Sequence, residues 1–287
     1  MFEVSVIIPV YNAEKFITDA VESVVNTACV KEILLIEDGS PDGALAICKQ
    51  LEQQYEKVHL YQHPNGENRG AGASRNLGIT KAASKYISFL DADDTYLPER
   101  FVGCQQIFQD DTIDYVFGMS QLEDDYKEGN NKYSLMRVDD INNFSVFDNL
   151  LTASYGYFDT NSITIKKSSI MNFTEWFDES LRLHQDSEFW IRIAYFLKGR
   201  PDTQGKPGAV VRRHENNRIT HRNAQSQFKY WDKIKRTFDK LEVTPKQKKI
   251  INTYYKYFQK VSKHRSFIDP YLLRVKILTI KFAHKTN

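Results

Sequence analysis

Three carboxylates follow an apolar run in the segment FLDADDT, at Asp91, Asp93 and Asp94. Carboxylates separated by one residue at the end of a buried strand can hold a divalent cation against phosphate oxygens, because hard cations such as Mg²⁺ prefer oxygen ligands. A purely structural alternative is that Asp93, Asp94 or Thr95 caps a helix that begins near Pro98. The elements that position these residues decide between the two.

The first hundred residues alternate between buried-strand and helix patterns. The predicted strands are VSVIIPV (4–10), KEILLIED (31–38), KVHLYQH (57–63) and KYISFLDAD (85–93). The predicted helices are AEKFITDAVESVVNT (13–27), DGALAICKQLEQQY (42–55) and GASRNLGITKAA (72–83). This alternation predicts an α/β fold, with a Rossmann-like, mainly parallel sheet and helices on both faces.

A polar or glycine-rich cluster follows each of these strands: PVYN, EDGSPD, HPNGENRGAG and DADDT. In a parallel sheet the carboxyl ends of the strands share one edge, and the amino ends of the helices point to it. A helix cap explains any single cluster, but four clusters on the same edge indicate a nucleotide-binding site. The spacing of Gly70, Gly72 and Gly78 differs from a dinucleotide fingerprint, so we expect these glycines to permit a tight turn and close helix packing.

Beyond Pro98 the pattern is less regular, and from about residue 225 it is helical, basic and rich in Tyr and Phe, with interruptions at Pro245 and Pro270. The predicted helices are ERFVGCQQIFQ (99–109) and DSEFWIRIAYFLK (186–198). The predicted strands are IDYVFGMSQ (113–121), SITIKKSSI (162–170) and GAVVRRH (208–214). The acidic segment LEDDYKEGNNKYSLMRVDD (122–140) is predicted to be a loop or a short excursion over the surface.

The composition is that of a soluble globular protein of 287 residues, with 41% hydrophobic and 26% charged residues. We expect no leader and no membrane span, because the start lacks a basic segment and no run approaches roughly 18 apolar residues. Cys29, Cys48 and Cys104 are odd in number and form no CxxC pair. They are expected to be reduced core cysteines in a cytoplasmic protein.

The net charge of +2 hides an asymmetry between the two ends of the chain. Residues 229–287 carry sixteen Lys and Arg against four Asp and Glu, a net charge of +12, which leaves about −10 for the first 228 residues. Because these cations are mixed with Tyr, Phe, Leu and Ile, they suit a helical bundle with a solvated basic face, an anionic membrane surface, or nucleic acid. We expect one of the first two, and no nucleic acid.

Six segments resemble, in order, those of family 2 glycosyltransferases of the GT-A fold. They are VSVIIPVYNAEKFI, ILLIEDGSPDGA, ENRGAGASRNLGI, FLDADD, QDSEFWIRIA and RRHENNRIT. The resemblance covers residues 3 to about 220. It implies a GT-A catalytic domain at 1–225, with a nucleotide-binding half at about 1–98 and an acceptor half at about 99–225, followed by a basic helical region at 226–287.

By this resemblance, the protein transfers a sugar from a nucleotide diphosphate sugar to an acceptor hydroxyl, with inversion at the anomeric carbon. The acceptor would be a glycan or lipid-linked glycan of bacterial polysaccharide synthesis, and the enzyme would be cytoplasmic or peripheral on the inner face of the membrane. Mn²⁺ or Mg²⁺ would neutralise the leaving diphosphate. Asp93 would ligate the metal, Asp91 would contact the ribose or the metal through water, and Asp94 would help the metal or cap the next helix.

The resemblance also implies a nucleotide pocket, formed by Pro9, Val10, Tyr11, Asp38, Arg75, Asp91 and Ala92. Tyr11 would pack on the base, and Asp38 would accept from the imide N–H of uracil, which favours UDP-sugars. Arg75 would reach the base or a phosphate. The structural alternatives are an ordinary turn for Tyr11, an Asx-turn for Asp38 and a surface salt bridge for Arg75.

Asp186 in HQDSEFW matches the family residue that deprotonates the acceptor hydroxyl. Gln185 replaces the glutamate that commonly precedes it, Asp186 also lies where a helix N-cap belongs, and Glu188 is an alternative base. His214 in RRHENNRIT resembles a histidine that closes over the diphosphate or the metal. Nearby arginines would add charge there: Arg212, Arg213 and Arg218.

Phe158, Trp176 and Trp190 could line an acceptor cleft, although core packing suits Trp190 better. A rival enzyme class is the haloacid-dehalogenase-like phosphatases, whose nucleophile motif is similar to FLDADDT. Against that class, Asp94 replaces a flexible glycine, and the motif follows the fourth predicted strand instead of lying near the start. A nucleotide-sugar-binding protein with a degenerate site is the non-enzyme alternative.

Overall fold

The computed structural model describes residues 1–124, 132–134, 145–152, 158–202, 204–213 and 223–263. Its first half confirms the predicted alternation of strands and helices. The strands are β1 (Val4–Val10), β2 (Val30–Glu37), β3 (Val58–Gln62) and β4 (Tyr86–Phe89). The helices are α1 (Ile17–Val25), α2 (Ala44–Gln54) and α3 (Ala71–Lys81).

The second half contains shorter strands and two long C-terminal helices. The strands are β5 (Thr95–Tyr96), β6 (Tyr115–Phe117), β7 (Met119–Asp124), β8 (Lys132–Ser134), β9 (Ile163–Lys166), β10 (Gly199–Pro201) and β11 (Pro207–Arg213). The helices are α4 (Val102–Ile107), α5 (Val146–Thr152), α6 (Lys167–Ile170), α7 (Gln185–Phe196), α8 (Ala224–Phe238) and α9 (Pro245–Lys263).

Three predictions for this half are wrong. Segment 113–121 is not one strand, because Gly118 separates β6 from β7 and the two belong to different sheets. Segment 162–170 is a strand only as far as Lys166 and continues as helix α6. The acidic segment 122–140 is not only a loop, since it contains the end of β7 and all of β8.

The large sheet has seven strands in the order β10-β6-β9-β4-β1-β2-β3. Its members β4, β1, β2 and β3 are parallel, with Ile7 beside Phe89, Val10 beside Glu37, and Glu37 beside Gln62. Their carboxyl ends therefore meet at one edge, as the sequence predicts. β9 pairs antiparallel with both β4 and β6, and β10 is parallel to β6.

A second sheet of four strands has the order β5-β11-β7-β8. Its strand β5 begins at Thr95, directly after the FLDADD segment, and pairs antiparallel with β11. The carboxylates of that segment therefore lie at the junction of the two sheets.

Apolar side chains on the two faces of the large sheet form separate clusters. Val6 and Ile8 of β1 pack with α1, α2 and α4 in one cluster, whereas Ile7 packs with α3 and α7 in the other. Successive side chains of a strand point to opposite faces, which produces this division. Helices on both faces are thus confirmed, and the three cysteines are free, as predicted.

Helices α8 and α9 pack on the body of the protein through a third apolar cluster that includes residues of α5 and α7. The rings of Trp231 and Tyr254 stack with centroids 4.1 Å apart. The helical prediction for this region is confirmed as far as Lys263, and Pro270 lies outside the described residues. Within the described ranges, no helix has both the length and the apolar character that crossing a membrane requires. The division into domains near residue 225 stays a prediction.

Candidate active site

The FLDADD segment turns directly after β4 and does not begin a helix. The N–H of Leu90 donates to the Ile7 carbonyl, and the N–H of Asp94 donates to the Asp91 carbonyl at 3.0 Å, which closes a tight turn. Thr95 then enters β5, and the next helix starts at Val102 without a side-chain cap. The prediction that these residues cap a helix near Pro98 is therefore wrong.

Asp91 forms an ion pair with Arg75 of α3, with 2.5 Å between the carboxylate oxygen and the guanidinium nitrogen. The Arg75 side chain is only 6% exposed, and its guanidinium also lies over the Phe177 ring. A surface salt bridge is thus the wrong alternative, because this pair is built into the wall of the site. Contact of Arg75 with a base or phosphate stays a prediction.

Asn161 joins the two ends of the carboxylate turn, a role that the sequence did not reveal. Its side-chain oxygen accepts from the Asp91 N–H at 2.8 Å, and its side-chain nitrogen donates to an Asp94 oxygen at 2.6 Å. The other Asp94 oxygen accepts from the backbone N–H of Arg212 on β11 at 2.8 Å. Asp159 holds the Asn161 backbone in a 3₁₀ turn. Asp94 therefore joins the turn to β11 and caps no helix.

Negative charge accumulates around this turn. Burial raises the pKa of Asp91, the Arg75 guanidinium lowers it, and the charges of Asp93 and Asp186 raise it again. Burial also raises the pKa of Asp94 well above its ordinary value, and the charges of Asp93 and Asp91 act in the same direction. A bound cation would relieve this repulsion. Within the described parts of the chain, no three His, Cys, Asp or Glu side chains are grouped to hold a metal ion by themselves.

Asp186 is the second residue of α7, two positions inside the N-cap. The helix begins at Gln185, and the N-cap is His184, which has a left-handed backbone with φ +65°. The N-cap prediction for Asp186 is therefore wrong. An Asp186 oxygen accepts from the Ser187 N–H at 2.7 Å. The amino end of a helix favours an ionised carboxylate, which is the form that accepts a proton.

Glu188 is excluded as the alternative base. It is 0% exposed, and its two oxygens accept from the Arg192 guanidinium at 2.7 and 2.8 Å. A carboxylate that is buried and paired in this way cannot reach the hydroxyl of an acceptor.

Asp38, at the end of β2, holds the loop that leads into α3. Its two carboxylate oxygens accept from the backbone N–H groups of Arg69 at 2.6 Å and Gly70 at 2.8 Å, and the side chain is 1% exposed. The predicted alternative of a local Asx-turn is wrong, because these partners lie more than thirty residues away in sequence. Gly70 has φ +89°, so it permits the tight turn that the sequence predicted. Contact of Asp38 with uracil stays a prediction.

The other predicted nucleotide contacts lie on the same edge of the sheet. Pro9 and Val10 end β1, and Tyr11 follows with 39% of its surface exposed. The N–H of the next residue donates to the Ser40 hydroxyl at 3.2 Å, which joins this loop to the loop after β2. Ala92 is buried within the carboxylate turn. Tyr11 is thus placed where a flat base could pack on it.

The predicted aromatic lining of an acceptor cleft is largely wrong. Phe158 and Trp190 are 3% and 2% exposed and pack in the apolar core beside α7, as the sequence suggested for Trp190 alone. Trp176 is half-buried, and its indole N–H donates to the Ile170 carbonyl. Core packing therefore accounts for Phe158 and Trp190.

Only some of the arginines and the histidine predicted to act at the end of β11 belong to the described residues. The Arg212 guanidinium contacts Asp19 of α1 at 3.0 Å. His214, Arg218 and the side chain of Arg213 lie outside the described residues. Their proposed contacts with the diphosphate or metal stay predictions.

Residues 5–173, more than half of the chain, match the family model described as Glycosyl transferase family 2. The minor teichoic acid biosynthesis protein GgaB of Bacillus subtilis (strain 168) is 31% identical over 199 residues, which make up 65% of this chain and 20% of that protein. The chain thus spans about a fifth of the length of this relative.

Two solved structures share the fold. S. aureus TarS 1-349 in complex with UDP has a TM-score of 0.65 at 16% identity, over 90% of this chain and 71% of that chain. Mannosyltransferase PcManGT from Pyrobaculum calidifontis, in complex with GDP-Man and Mn²⁺, has a TM-score of 0.60 at 17% identity, over 89% and 69%. At such identities the likeness concerns the fold, and it confirms the predicted GT-A class.

Proposed function

Because this chain belongs to glycosyl transferase family 2, we propose that it transfers a sugar from a nucleotide diphosphate sugar to an acceptor hydroxyl, with inversion at the anomeric carbon. The UDP bound to TarS and the GDP-Man bound to PcManGT support a nucleotide donor, since both proteins share this fold. UDP is the proposed carrier, which the UDP complex of TarS supports. Asp38 would accept from the imide N–H of uracil through a remaining lone pair of an oxygen that already accepts from Arg69 or Gly70.

One observation carries the proposal: the charge of Asp186, at the start of α7, acts on Asp91 of the carboxylate turn, although the two residues are far apart in sequence. Burial raises the pKa of Asp91 most, and the charges of Asp93 and Asp186 raise it further. An inverting displacement needs a site for the leaving diphosphate and a base for the incoming hydroxyl. Asp93 and Asp186 are suited to these two tasks.

Asp93 would ligate Mn²⁺ or Mg²⁺, because carboxylate oxygens suit these ions. Asp91 would contact the ribose, or the metal through water. Since no three acidic, His or Cys side chains within the described residues form a complete ligand set, oxygens of the donor diphosphate would complete it. The bound cation would neutralise charge that develops on the leaving diphosphate. His214, outside the described residues, is a further proposed ligand.

The nucleotide would lie along the edge formed by the ends of β1, β2 and β4. Tyr11 would pack on the base, with backbone contacts from Pro9, Val10 and Ala92. Arg75 would orient Asp91 through their ion pair, as their 2.5 Å contact supports. A guanidinium that is itself buried, with a 6% exposed side chain, is well suited to this task, because its surroundings fix its geometry.

Asp186 would take the proton of the acceptor hydroxyl as the new glycosidic bond forms. Its position in the first turn of α7 supports this role, because there its charge acts on Asp91 of the carboxylate turn. The acceptor would be a glycan or lipid-linked glycan, and the protein would be cytoplasmic or peripheral on the inner face of the membrane. The relation to a teichoic acid biosynthesis protein supports a polymer of the bacterial surface as the product.

The proposal is tested by incubating the protein with a panel of UDP-sugars and Mn²⁺ and measuring UDP release. We expect slow donor hydrolysis that Asp186→Asn reduces by about a hundredfold to ten-thousandfold, with nearly unchanged UDP affinity in calorimetry. Metal should tighten UDP binding in the parent protein but not in Asp93→Ala. Asp111→Asn is the matched control, since the Asp111 side chain is 84% exposed and pairs with the exposed Lys85.

Two results would contradict the proposal in different ways. If Asp186→Asn releases UDP at the parent rate, the base is another residue. If the parent binds UDP with metal yet releases none from any donor, the site is degenerate and the protein only binds nucleotide sugars. Release of phosphate from model esters, lost in Asp91→Asn, would instead revive the phosphatase alternative.

A further inference from the structure

Helix α9 carries a row of lysines on its outer face. Its nineteen residues include six lysines and no Asp or Glu. Five of them are separated by three, four or seven residues, so they lie on one face of the helix, and all five are exposed. We call them the α9 lysine stripe: Lys246, Lys249, Lys256, Lys260 and Lys263.

Helix stability does not explain the stripe. Lysines three or four residues apart repel one another, and Lys246 and Lys249 lie near the amino end, where the helix dipole disfavours cations. Within the described residues, no member of the stripe forms an ion pair. On α8, by contrast, Lys233, Lys235 and Arg236 all contact carboxylates. The charge of α9 is therefore left uncompensated, at a cost to the helix.

The apolar face of α9 is already covered by the protein. Ile250 and Ile251 are 4% and 3% exposed, and Tyr254 stacks on Trp231 of α8. The stripe is thus fixed to the catalytic body, and α9 has no exposed apolar face to insert into a bilayer. A ligand of the stripe would be held by charge alone.

The stripe leads back to the end of the molecule that carries Asp186. The start of α7 meets the start of α8, where the Ser226 hydroxyl lies 3.4 Å from the His184 ring. The end of α7 meets the loop after α8, where the Tyr195 hydroxyl donates to the Glu242 carbonyl at 2.8 Å. α9 runs antiparallel to α8. From Tyr254 to its last residue it extends about 13 Å toward the end of the molecule at which α7 and α8 begin.

We propose that the α9 lysine stripe binds a linear, phosphate-bearing glycan and guides its end toward Asp186. The stripe extends about 25 Å along the helix, which matches a chain-like polyanion. Lysine binds phosphate as a point charge, so a row of lysines can follow the repeating phosphates of such a chain without fixing the orientation of each one. This inference rests on the proposed function, because it names the chemical class of the acceptor.

The test measures binding of fluorescently labelled poly(glycerol phosphate) by anisotropy, with the full chain at several salt concentrations. The variant Lys249→Gln/Lys256→Gln/Lys260→Gln should bind about a hundredfold more weakly at 0.1 M salt, with a salt slope lowered by about 2, from roughly 0.7 per lost phosphate contact. The control variant Lys31→Gln/Lys49→Gln/Lys240→Gln removes the same charge from other exposed sites and should bind like the parent. Melting temperatures of both variants verify folding.

An anionic membrane is the competing partner, and a second arm of the experiment measures sedimentation with phosphatidylglycerol vesicles. Equal polymer affinity in the stripe and control variants overturns the proposal. It is also overturned if the stripe variant loses vesicle binding but keeps polymer binding. UDP release without acceptor should be the same in the parent and both variants, so a protein that releases UDP but binds no polymer refutes the stripe and leaves the proposed function standing.

Discussion

At the end of β4, the side chain of Asn161 holds the carboxylate turn at two points. Its oxygen accepts from the Asp91 N–H, its nitrogen donates to Asp94, and the residue is 2% exposed. Buried hydrogen bonds to a charged group are costly to remove, because the carboxylate then lacks a partner. In the proposed reaction Asn161 touches no substrate and acts as a positioning residue for Asp91 and Asp93.

We predict that Asn161→Ala weakens the metal-dependent tightening of UDP binding by about fivefold to a hundredfold, because the lost hydrogen bonds that orient the turn are worth about 1–3 kcal/mol. Calorimetry with and without Mn²⁺ measures this effect. UDP binding without metal should change little, because Tyr11 and Asp38 lie on other strands.

Asn149→Ala is the matched control, since Asn149 is also a buried asparagine, at 3% exposure, but lies on α5. It should lower the melting temperature comparably and keep the metal effect. If both variants lose the metal effect to the same extent, Asn161 has only a general structural role.

At the scale of elements, Gly78 sets the distance between α3 and the sheet. A Cβ atom at this position would lie 2.3 Å from Cγ2 of Ile7 on β1. This confirms the expectation that Gly78 permits close helix packing. The distance matters for the site, because α3 carries Arg75, which must reach Asp91.

We predict that Gly78→Ala destabilises the protein by about 1–3 kcal/mol, because an overpacked core forces the helix outward. Urea denaturation measures the change in unfolding free energy. In a double-mutant cycle, Gly78→Ala should destabilise the Ile7→Ala variant less than it destabilises the parent, since Ile7→Ala removes the clashing methyl group. Additive effects of the two changes would show that the Gly78 contact is not the cause.

On the scale of the whole molecule, Lys233 fastens α8 to the catalytic body. Its ammonium contacts Asp178 at 2.8 Å and Glu175 at 2.7 Å. Although burial opposes ionisation of both partners, hydrogen bonds from Lys233 and Ser180 leave the pKa of Asp178 lowered, and hydrogen bonds to Asp178 and Glu175 leave the pKa of Lys233 raised. Both shifts favour the charged pair.

The direction of each pKa shift determines the pH range in which the pair stabilises the fold. A lowered Asp pKa adds stability above the unfolded pKa of about 4, and this is lost as pH falls through the folded value. A raised Lys pKa adds stability that is complete below about pH 10 and is lost as pH rises through the folded value. We therefore predict that Asp178→Asn destabilises by about 1–3 kcal/mol at pH 7, and that the difference shrinks below pH 4.

Melting temperatures across pH for the parent, Asp178→Asn and Asp232→Asn measure this dependence. Asp232 pairs with Arg236 within α8, so its loss should cost less than about 0.5 kcal/mol. A difference in melting temperature between Asp178→Asn and the parent that stays constant from pH 3 to pH 7 would contradict a stabilising role for the charged Asp178–Lys233 pair.

The sequence by itself determined the parallel half of the fold and the edge on which the site lies. Alternating apolar periods define β1 to β4 and their helices, and the direction of parallel strands then brings Asp38, Asp91 and Asp93 to one edge. Such patterns are local, and local periodicity is visible in a sequence. The pattern could not show that Gly118 divides 113–121 between two sheets, because a single glycine inside a strand pattern also fits a bulge in one continuous strand.

Only the tertiary structure decided which polar groups meet. Asn161 and Arg212 contact Asp94 across 67 and 118 residues, and Glu188 proved to be buried against Arg192. Partners of this kind depend on how distant loops pack, and hydrogen-bonding side chains in loops carry no period that reveals their partner. The same packing covers the apolar face of α9 and leaves its lysines outward.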